Sequence, residues 1–378
     1  MPTEEMPARW APRYSWILVP AGIFVASRIA LLFVSYFGLV ISPSLFEPGG
    51  PRGFIQQYPA LDGFCRWDWG MYERLASTGY WDDGSVTFFP LYPLLVRGLS
   101  AATGLHLHFS LLVVSNVASL ASFCVIYRVF VRLEDEAAAK WGLAVFASYP
   151  FAFFQAAALP ESLLTLTTAL GILFALRGEH LRAGIAVAAA VLTRQLGLAA
   201  GLGLWVAQLR QRGRSAKAFF IHPGLLGLAL PVAALAGFCL YQDWKFGSPW
   251  LFYTVRARWG PMASWSLVDV LRSKDWNPFT IPIAAYLPFV VLVPSAGAIA
   301  LIFRRHYELA VFAGGYLVVV LSVGMWGSGR YTSSCWPAFL PAGLLLSRYP
   351  SLQPPVVTLL AVCQGFFFYL FSHQYPVM

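Results

Sequence analysis

Apolar residues run along this chain in long blocks, and polar ones gather between them. The blocks lie near Ser15–Val40, His108–Val131, Ala139–Leu159, Ser162–Leu176, Ala183–Ala207, Phe219–Tyr241, Thr280–Phe303, Leu309–Trp326, Thr332–Leu346 and Pro355–Phe371. Each block predicts a transmembrane helix, since about 20 apolar residues cross the hydrocarbon core of a bilayer. The first block is longer than a signal-peptide core, so a retained span is expected there rather than a cleaved leader. The pattern predicts an all-α polytopic membrane protein, a single integral domain over residues 1–378.

Basic residues orient the spans, because Lys and Arg concentrate on the cytoplasmic side. Arg9 and Arg13 precede the first block, Arg128 and Arg132 follow the second, and Arg177 and Arg182 follow the fourth. Arg304 and Arg305 follow the seventh and Arg348 the ninth, which alternates correctly for a cytoplasmic N-terminus. Ala183–Ala207 breaks the alternation. Arg182 precedes it, and Arg210, Arg212, Arg214 and Lys217 follow it. Two short half-helices that enter and return resolve the conflict, with Arg194 of "LTRQLG" at the turn. Irregular backbone at that depth is tolerated only beside a cavity or water, so Arg194 is expected to line a wet space. Counting this pair, about eleven segments are predicted, with the C-terminus outside. Residues 41–107 and 242–279 then form two outer loops. In the first, "RWDWGMYERLASTGYWDDGSVTFFPLYPLL" (Arg66–Leu95) is rich in aromatic residues and broken by Pro90 and Pro93. Short helices lying in the membrane–water interface are expected there.

Composition sharpens this picture. Of the 378 residues, 58% are hydrophobic and 11% charged, where soluble domains carry about 25% charge. The net charge of +9 would suggest nucleic acid in a soluble protein. Here it fits membrane anchors and anion-binding pockets, and no nucleic acid partner is expected. Cys65, Cys124, Cys239, Cys335 and Cys363 form no metal motif or disulfide framework. His106, His108 and His222 lack metal-ligand spacing and read as interfacial. No cofactor is called for. A divalent ion could bind through Asp82–Asp83, but Asp82–Asp83–Gly84 reads as a turn.

Two acids stand apart among apolar neighbours on the outer side, Asp68 and Glu161, and acids near hydrocarbon are costly and often functional. Asp68 reads equally as a helix N-cap or as a reactive carboxylate. Glu161, after Pro160, reads first as an ordinary helix start. Arg28 lies past the midpoint of the first span. With Arg194 and Arg330 it would surround Asp68 at an apolar cavity open to lipid. A single carboxylate suits a general base, and the guanidinium fork suits phosphate. No Gly-rich phosphate loop is present, so a lipid phosphate is a better donor than a nucleotide.

"RWDWGMYERLASTGY" followed by "TFFPLYPLL" resembles the GPI mannosyltransferase 2 family, the phosphatidylinositol-glycan class V proteins and their prokaryotic relatives. "YPFAFFQAAALPESLLTL", "LTRQLGL" and "GSGRYTSSCWPAF" are similar to further blocks of that family. The resemblance covers about half of the chain in separated blocks. Gln195 and Leu196 replace small or polar residues of the family pattern, and Tyr149 stands where Asn is common. The resemblance implies a GT-C glycosyltransferase. It would move mannose, with inversion, from a polyprenyl- or dolichyl-phosphate donor to a glycolipid or protein acceptor. The family's catalytic Asp falls on Asp68. Around it, Arg194, Arg330 and Arg28 are expected to hold the donor phosphate. Arg66, Trp67, Trp69, Tyr72, Phe89, Tyr92, Glu161, Arg256 and Arg258 are expected to contact substrate. A multi-pass protein of a prokaryotic cell membrane with an outward-facing site follows. A lipid or lipid-linked sugar flippase is the alternative, since it would share the spans and the intramembrane arginines.

Overall fold

The computed structural model describes residues 15–41, 58–82, 84–212, 224–255, 265–272, 286–375 and 377. Among these the chain is helical and forms no strand. The main helices are α1 (Ser15–Ile41), α2 (Trp69–Thr78), α3 (Leu91–Thr103), α4 (Leu107–Leu133), α5 (Glu136–Ser148), α6 (Glu161–Leu176) and α7 (His180–Thr193). They continue as α8 (Leu198–Arg212), α9 (Gly224–Phe246), α10 (Val293–Phe303), α11 (Tyr307–Val323), α12 (Ser328–Thr332), α13 (Leu340–Arg348) and α14 (Gln353–Ser372). Ser15–Ile41, Leu107–Leu133, Gly224–Phe246 and Pro350–Ser372 are long and apolar enough to cross a bilayer. Large apolar side chains on their outer faces stay exposed, among them Leu18, Phe33, Val232, Leu240, Leu359 and Phe366. Such faces suit lipid rather than water. The chain is an integral multi-pass membrane protein.

Polar pairs fix which way each helix runs, because they gather at two opposite ends. At one end Arg132 donates to the Leu176 carbonyl (3.1 Å), and Gln211 to the Ala175 carbonyl (2.8 Å). Arg210 reaches Glu308 (2.8 Å), and Arg304 reaches Glu134 (3.0 Å). These are the basic segments that charge bias assigns to the cytoplasm. At the other end Arg194 meets Glu161, Tyr149 meets Thr332, and Arg66 meets the Ser372 carbonyl. The pair α7–α8 therefore starts and finishes at the basic end, with Arg194 at its far turn. Each half is only roughly 21 Å long, shorter than the ~30 Å core, so the pair dips in and returns. Arg194 is extended there (φ −160°, ψ 145°), between α7 and a one-turn 3-10 segment. A Cβ on Gly197 would lie 2.4 Å from the Ala190 carbonyl carbon. The turn is therefore too tight for a side chain at that position.

Three expected spans are interrupted. Ala139–Leu159 breaks because α5 stops at Ser148, where Tyr149 takes ψ 137° before Pro150. A residue before proline is pushed out of helical geometry. The buried, irregular stretch that follows leads straight into Glu161. Leu309–Trp326 breaks at Gly324, and a short turn then leads into α12, with a bend of 116° between the two halves. Thr332–Leu346 splits between α12 and α13, parted by a 3-10 turn at Trp336–Phe339. The breaks at Tyr149 and Gly324 lie at the end of the molecule that holds Arg194, while the Trp336–Phe339 turn sits deeper, with Trp336 Nε1 donating to Thr168 in the middle of α6. The described part of the segment expected as the first outer loop holds the short α2 and α3. Gly104 closes α3 in the left-handed conformation (φ 73°), with its N–H on the Ser100 carbonyl. Of the second outer loop, only residues up to 255 and 265–272 lie in the described part.

The Gly197 contact gives a direct test. Gly197→Ala is expected to destabilise the protein by about 1–3 kcal/mol, the usual result of overpacking. Thermal melting of the detergent-purified variant should show a lowered midpoint; an unchanged midpoint would mean the turn is looser than described.

Candidate active site

Asp68 sits just before α2, and its backbone carbonyl accepts the first helical hydrogen bonds from Met71 and Tyr72. Its side chain makes no cap bond. The carboxylate instead reaches across the fold to α12, where Arg330 Nη1 donates to Asp68 Oδ2 at 2.5 Å. The same guanidinium donates through Nε to Glu161 Oε1 at 2.5 Å. Arg194 Nη2 approaches that Glu161 oxygen at 3.1 Å. Four charges from the residue before α2, the start of α6, the turn between α7 and α8, and α12 thus form one connected cluster. Side-chain exposure rises through it from Glu161 (1%) and Arg330 (4%) to Arg194 (16%) and Asp68 (28%). The buried members anchor; the outer members face a space.

That space is a cavity of about 430 Å³. Asp68, Arg194, Arg330, Trp67, Phe89 and Tyr331 are among the residues that line it. Its size falls within the roughly 300–1,000 Å³ of small-molecule sites. Arg194 Nε, Arg330 Nη2 and Glu161 Oε2 are buried with no hydrogen-bond partner among the described residues. Leaving charged donors unpaired is costly. The two arginines that carry these buried N–H groups also line the cavity, so their guanidinium charge bears on it. The Arg194 guanidinium also lies over the Tyr331 ring, 5.0 Å from its centroid. Beneath the cluster Tyr72 is buried between Phe88 and Tyr92. Burial pushes its phenol up to about 12, so it stays neutral at any working pH.

Trp67 carries a positive φ of 61°. Left-handed backbone costs a non-glycine residue roughly 1–2 kcal/mol, and such strain persists only where the surroundings impose it. Both neighbours do so. Arg66 is fixed by an ion pair with Asp62 and by the carbonyls of Ser372 (2.7 Å) and Asp62 (2.9 Å). Asp68 is fixed by Arg330.

Several expected contacts lie elsewhere. Arg28 does not line the cavity. Its guanidinium is taken by Asn116 Oδ1 (2.8 Å), Ser119 Oγ (2.5 Å) and the Gln155 carbonyl (3.0 Å), which leaves no fork for phosphate. Arg66 is buried as a tie between the loop and α14, not a substrate contact. Tyr92 is fully buried, its hydroxyl on Ser115 and the Leu111 carbonyl. Trp69 packs on His108, away from the cavity lining. Glu161 is more than a helix start and lies behind the cavity wall, holding both arginines. Trp67 and Phe89 line the cavity. Asp82 does form a turn, accepting from the Ser85 N–H at 2.7 Å, while Asp83 lies outside the described residues. Arg256 and Arg258 also lie outside them. Sequence reasoning did not single out Tyr331, Trp326 or Phe252 in the lining. Tyr331 follows Arg330 directly, so its place in the motif was the available signal.

No family model matches the chain, and no curated protein does. Solved structures do. ArnT from Cupriavidus metallidurans bound to undecaprenyl phosphate superposes with a TM-score of 0.55 at 16% identity, over 93% of this chain and 64% of that one. The Archaeoglobus fulgidus oligosaccharyltransferase tethered with an acceptor peptide superposes at 0.52 and 11% identity, over 98% and 56%. The chain shares the fold of these structures. At these identities the likeness extends to fold, and the chain spans about three fifths of the length of those structures. Within this fold the cluster occupies the end where α2, the turn at Arg194 and the breaks at Tyr149 and Gly324 converge.

Removing the shared carboxylate should expose the energetics of the cluster. Glu161→Ala leaves two buried arginines facing each other, and is expected to lose about 3–5 kcal/mol. Glu161→Gln, which keeps the shape, should fall between that variant and the parent. Thermal melts that rank the three otherwise would contradict the arrangement.

Proposed function

We propose that this GT-C protein is a glycosyltransferase. It moves a sugar, mannose by the motif resemblance, from a polyprenyl-phosphate donor to an acceptor hydroxyl at the extracytoplasmic face. The observation that carries this reading is Arg330 held between Asp68 and Glu161, beside Arg194, on the wall of an aromatic cavity. The solved GT-C structures with undecaprenyl phosphate and with dolichol-phosphate support a lipid-phosphate donor. The structure with an acceptor peptide supports a second substrate. A glycolipid or a protein would fill that role here.

In this mechanism the donor phosphate docks against Arg194 and Arg330 where they line the cavity. Asp68 accepts the proton of the acceptor hydroxyl as that oxygen forms its bond to the sugar C1. The C1–O bond to phosphate breaks on the opposite face, and polyprenyl phosphate leaves with the bonding electrons. The leaving group is already anionic, so no acid is needed at that end, and the anomeric centre inverts. The arginines neutralise charge that grows on the phosphate as the bond breaks, which is the usual source of rate enhancement at such centres. Trp67 and Phe89 offer apolar faces for the sugar.

The test is a labelled polyprenyl-phosphate-mannose donor supplied to the protein in membranes. Release of polyprenyl phosphate with the label on an acceptor is expected, and Asp68→Asn should reduce it by about 10²–10⁴-fold. Movement of intact donor across the bilayer without cleavage would favour the flippase. Near-normal turnover in Asp68→Asn would remove Asp68 from the chemistry.

A further inference from the structure

A second cluster lies on the first outer loop, apart from the cavity. Glu73 is on α2, five residues beyond Asp68. His106 is the N-cap residue of α4, and His108 lies in its first turn. Their ligand atoms all lie within 4.8 Å of one another. His108 Nδ1 is 2.9 Å from Glu73 Oε1 and 2.8 Å from His106 Nδ1. The two imidazoles stack with centroids 4.7 Å apart, and the Trp69 ring packs on His108, also at 4.7 Å. Two Nδ1 atoms are thus aimed at each other with a carboxylate beside them. One shared proton can satisfy that contact; so can one cation bound by all three.

We propose that Glu73 Oε1, His106 Nδ1 and His108 Nδ1 form a three-ligand zinc site that pins α2, and with it Asp68, to the start of α4. Two imidazoles and a carboxylate form a donor set that zinc favours, with a fourth position left for water. Tetrahedral ligands at Zn–N distances of 2.0–2.1 Å sit roughly 3.3 Å apart. The two contacts of His108 Nδ1, at 2.8 and 2.9 Å, need to open by about half an ångström, and Glu73 and His106, within 4.8 Å of each other, need to draw together to about the same 3.3 Å. The His108 backbone N–H also donates to His106 Nδ1, over a long 3.4 Å between the nitrogens, and a metal on that nitrogen would displace this bond. Glu73 and His108 keep 23% and 19% side-chain exposure, so an ion can enter from solvent.

The site has a mechanical consequence. α2 is only ten residues long, too short to hold itself as a helix in isolation. Arg330 fixes its first end. Glu73 lies roughly 7.5 Å farther along the axis, and a metal there would fix a second point. The ion would take no part in transfer; its ligands would be positioning residues. Asp68 would then keep its aim through the strained backbone at Trp67.

Full-length protein in detergent, stripped with chelator and dialysed, tests this without any assay of transfer. On adding zinc, about one ion per chain should be retained by elemental analysis, and the melting midpoint should rise. Magnesium should do neither. His108→Asn and Glu73→Gln should each abolish retention and the rise. Cobalt in the wild-type protein should give the visible bands of tetrahedral coordination, a readout that needs no variant to fold. If zinc is not retained, or stabilises both variants as much as the wild type, the cluster is a hydrogen-bonded triad and the proposal falls. Should the protein prove not to be a glycosyltransferase, these results would be unaffected.

Discussion

Two guanidinium groups share one buried carboxylate, and the architecture of that end of the molecule depends on the sharing. Glu161 alone cannot neutralise Arg194 and Arg330, so Arg330 also takes Asp68 from the first outer loop. Four chain segments, far apart in sequence, are thereby tied at one point. Their irregular backbone would be untenable against lipid, and is tolerated because it lies inside protein beside a cavity. A cluster of two cations and two anions is also poised. It is neutral as it stands, and two of its N–H groups still lack acceptors.

Much of the fold was legible in the sequence, because the bilayer leaves few options. Long apolar blocks must be helices, and Arg and Lys between them give direction. The doubled basic flanks of Ala183–Ala207 predicted the return at Arg194, and the pairing of Arg210 with Glu308 agrees. The breaks at Tyr149 and Gly324 were harder to read. Apolar character continues through them, so hydropathy alone sees one span; only Pro150 and the glycines mark the interruption.

The site was legible in part. Asp68, Arg194 and Arg330 stand out as charges among apolar residues, and the fold brings them together. Arg28 stood out by the same signal, yet three polar partners absorb it. Those partners, Asn116, Ser119 and the Gln155 carbonyl, lie about 90 residues and more away. A charge in a membrane segment shows that a partner exists, not whether the partner is protein or substrate. Arg66 and Tyr92 carry the same lesson. The pairing of Glu73 with His106 and His108 escaped notice because it joins two helices rather than one motif.

Recognition of phosphate by the arginine cluster is the central claim, and one comparison tests it. The melting midpoint of the purified protein is followed against added undecaprenyl phosphate, and against undecaprenol, which has the same chain and no phosphate. A ligand that binds the folded state alone stabilises it by mass action. The account predicts a rise with the phosphate, little with the alcohol, and loss of the difference in Arg194→Ala. Equal stabilisation by both lipids, or a phosphate effect unchanged in Arg194→Ala, would contradict it.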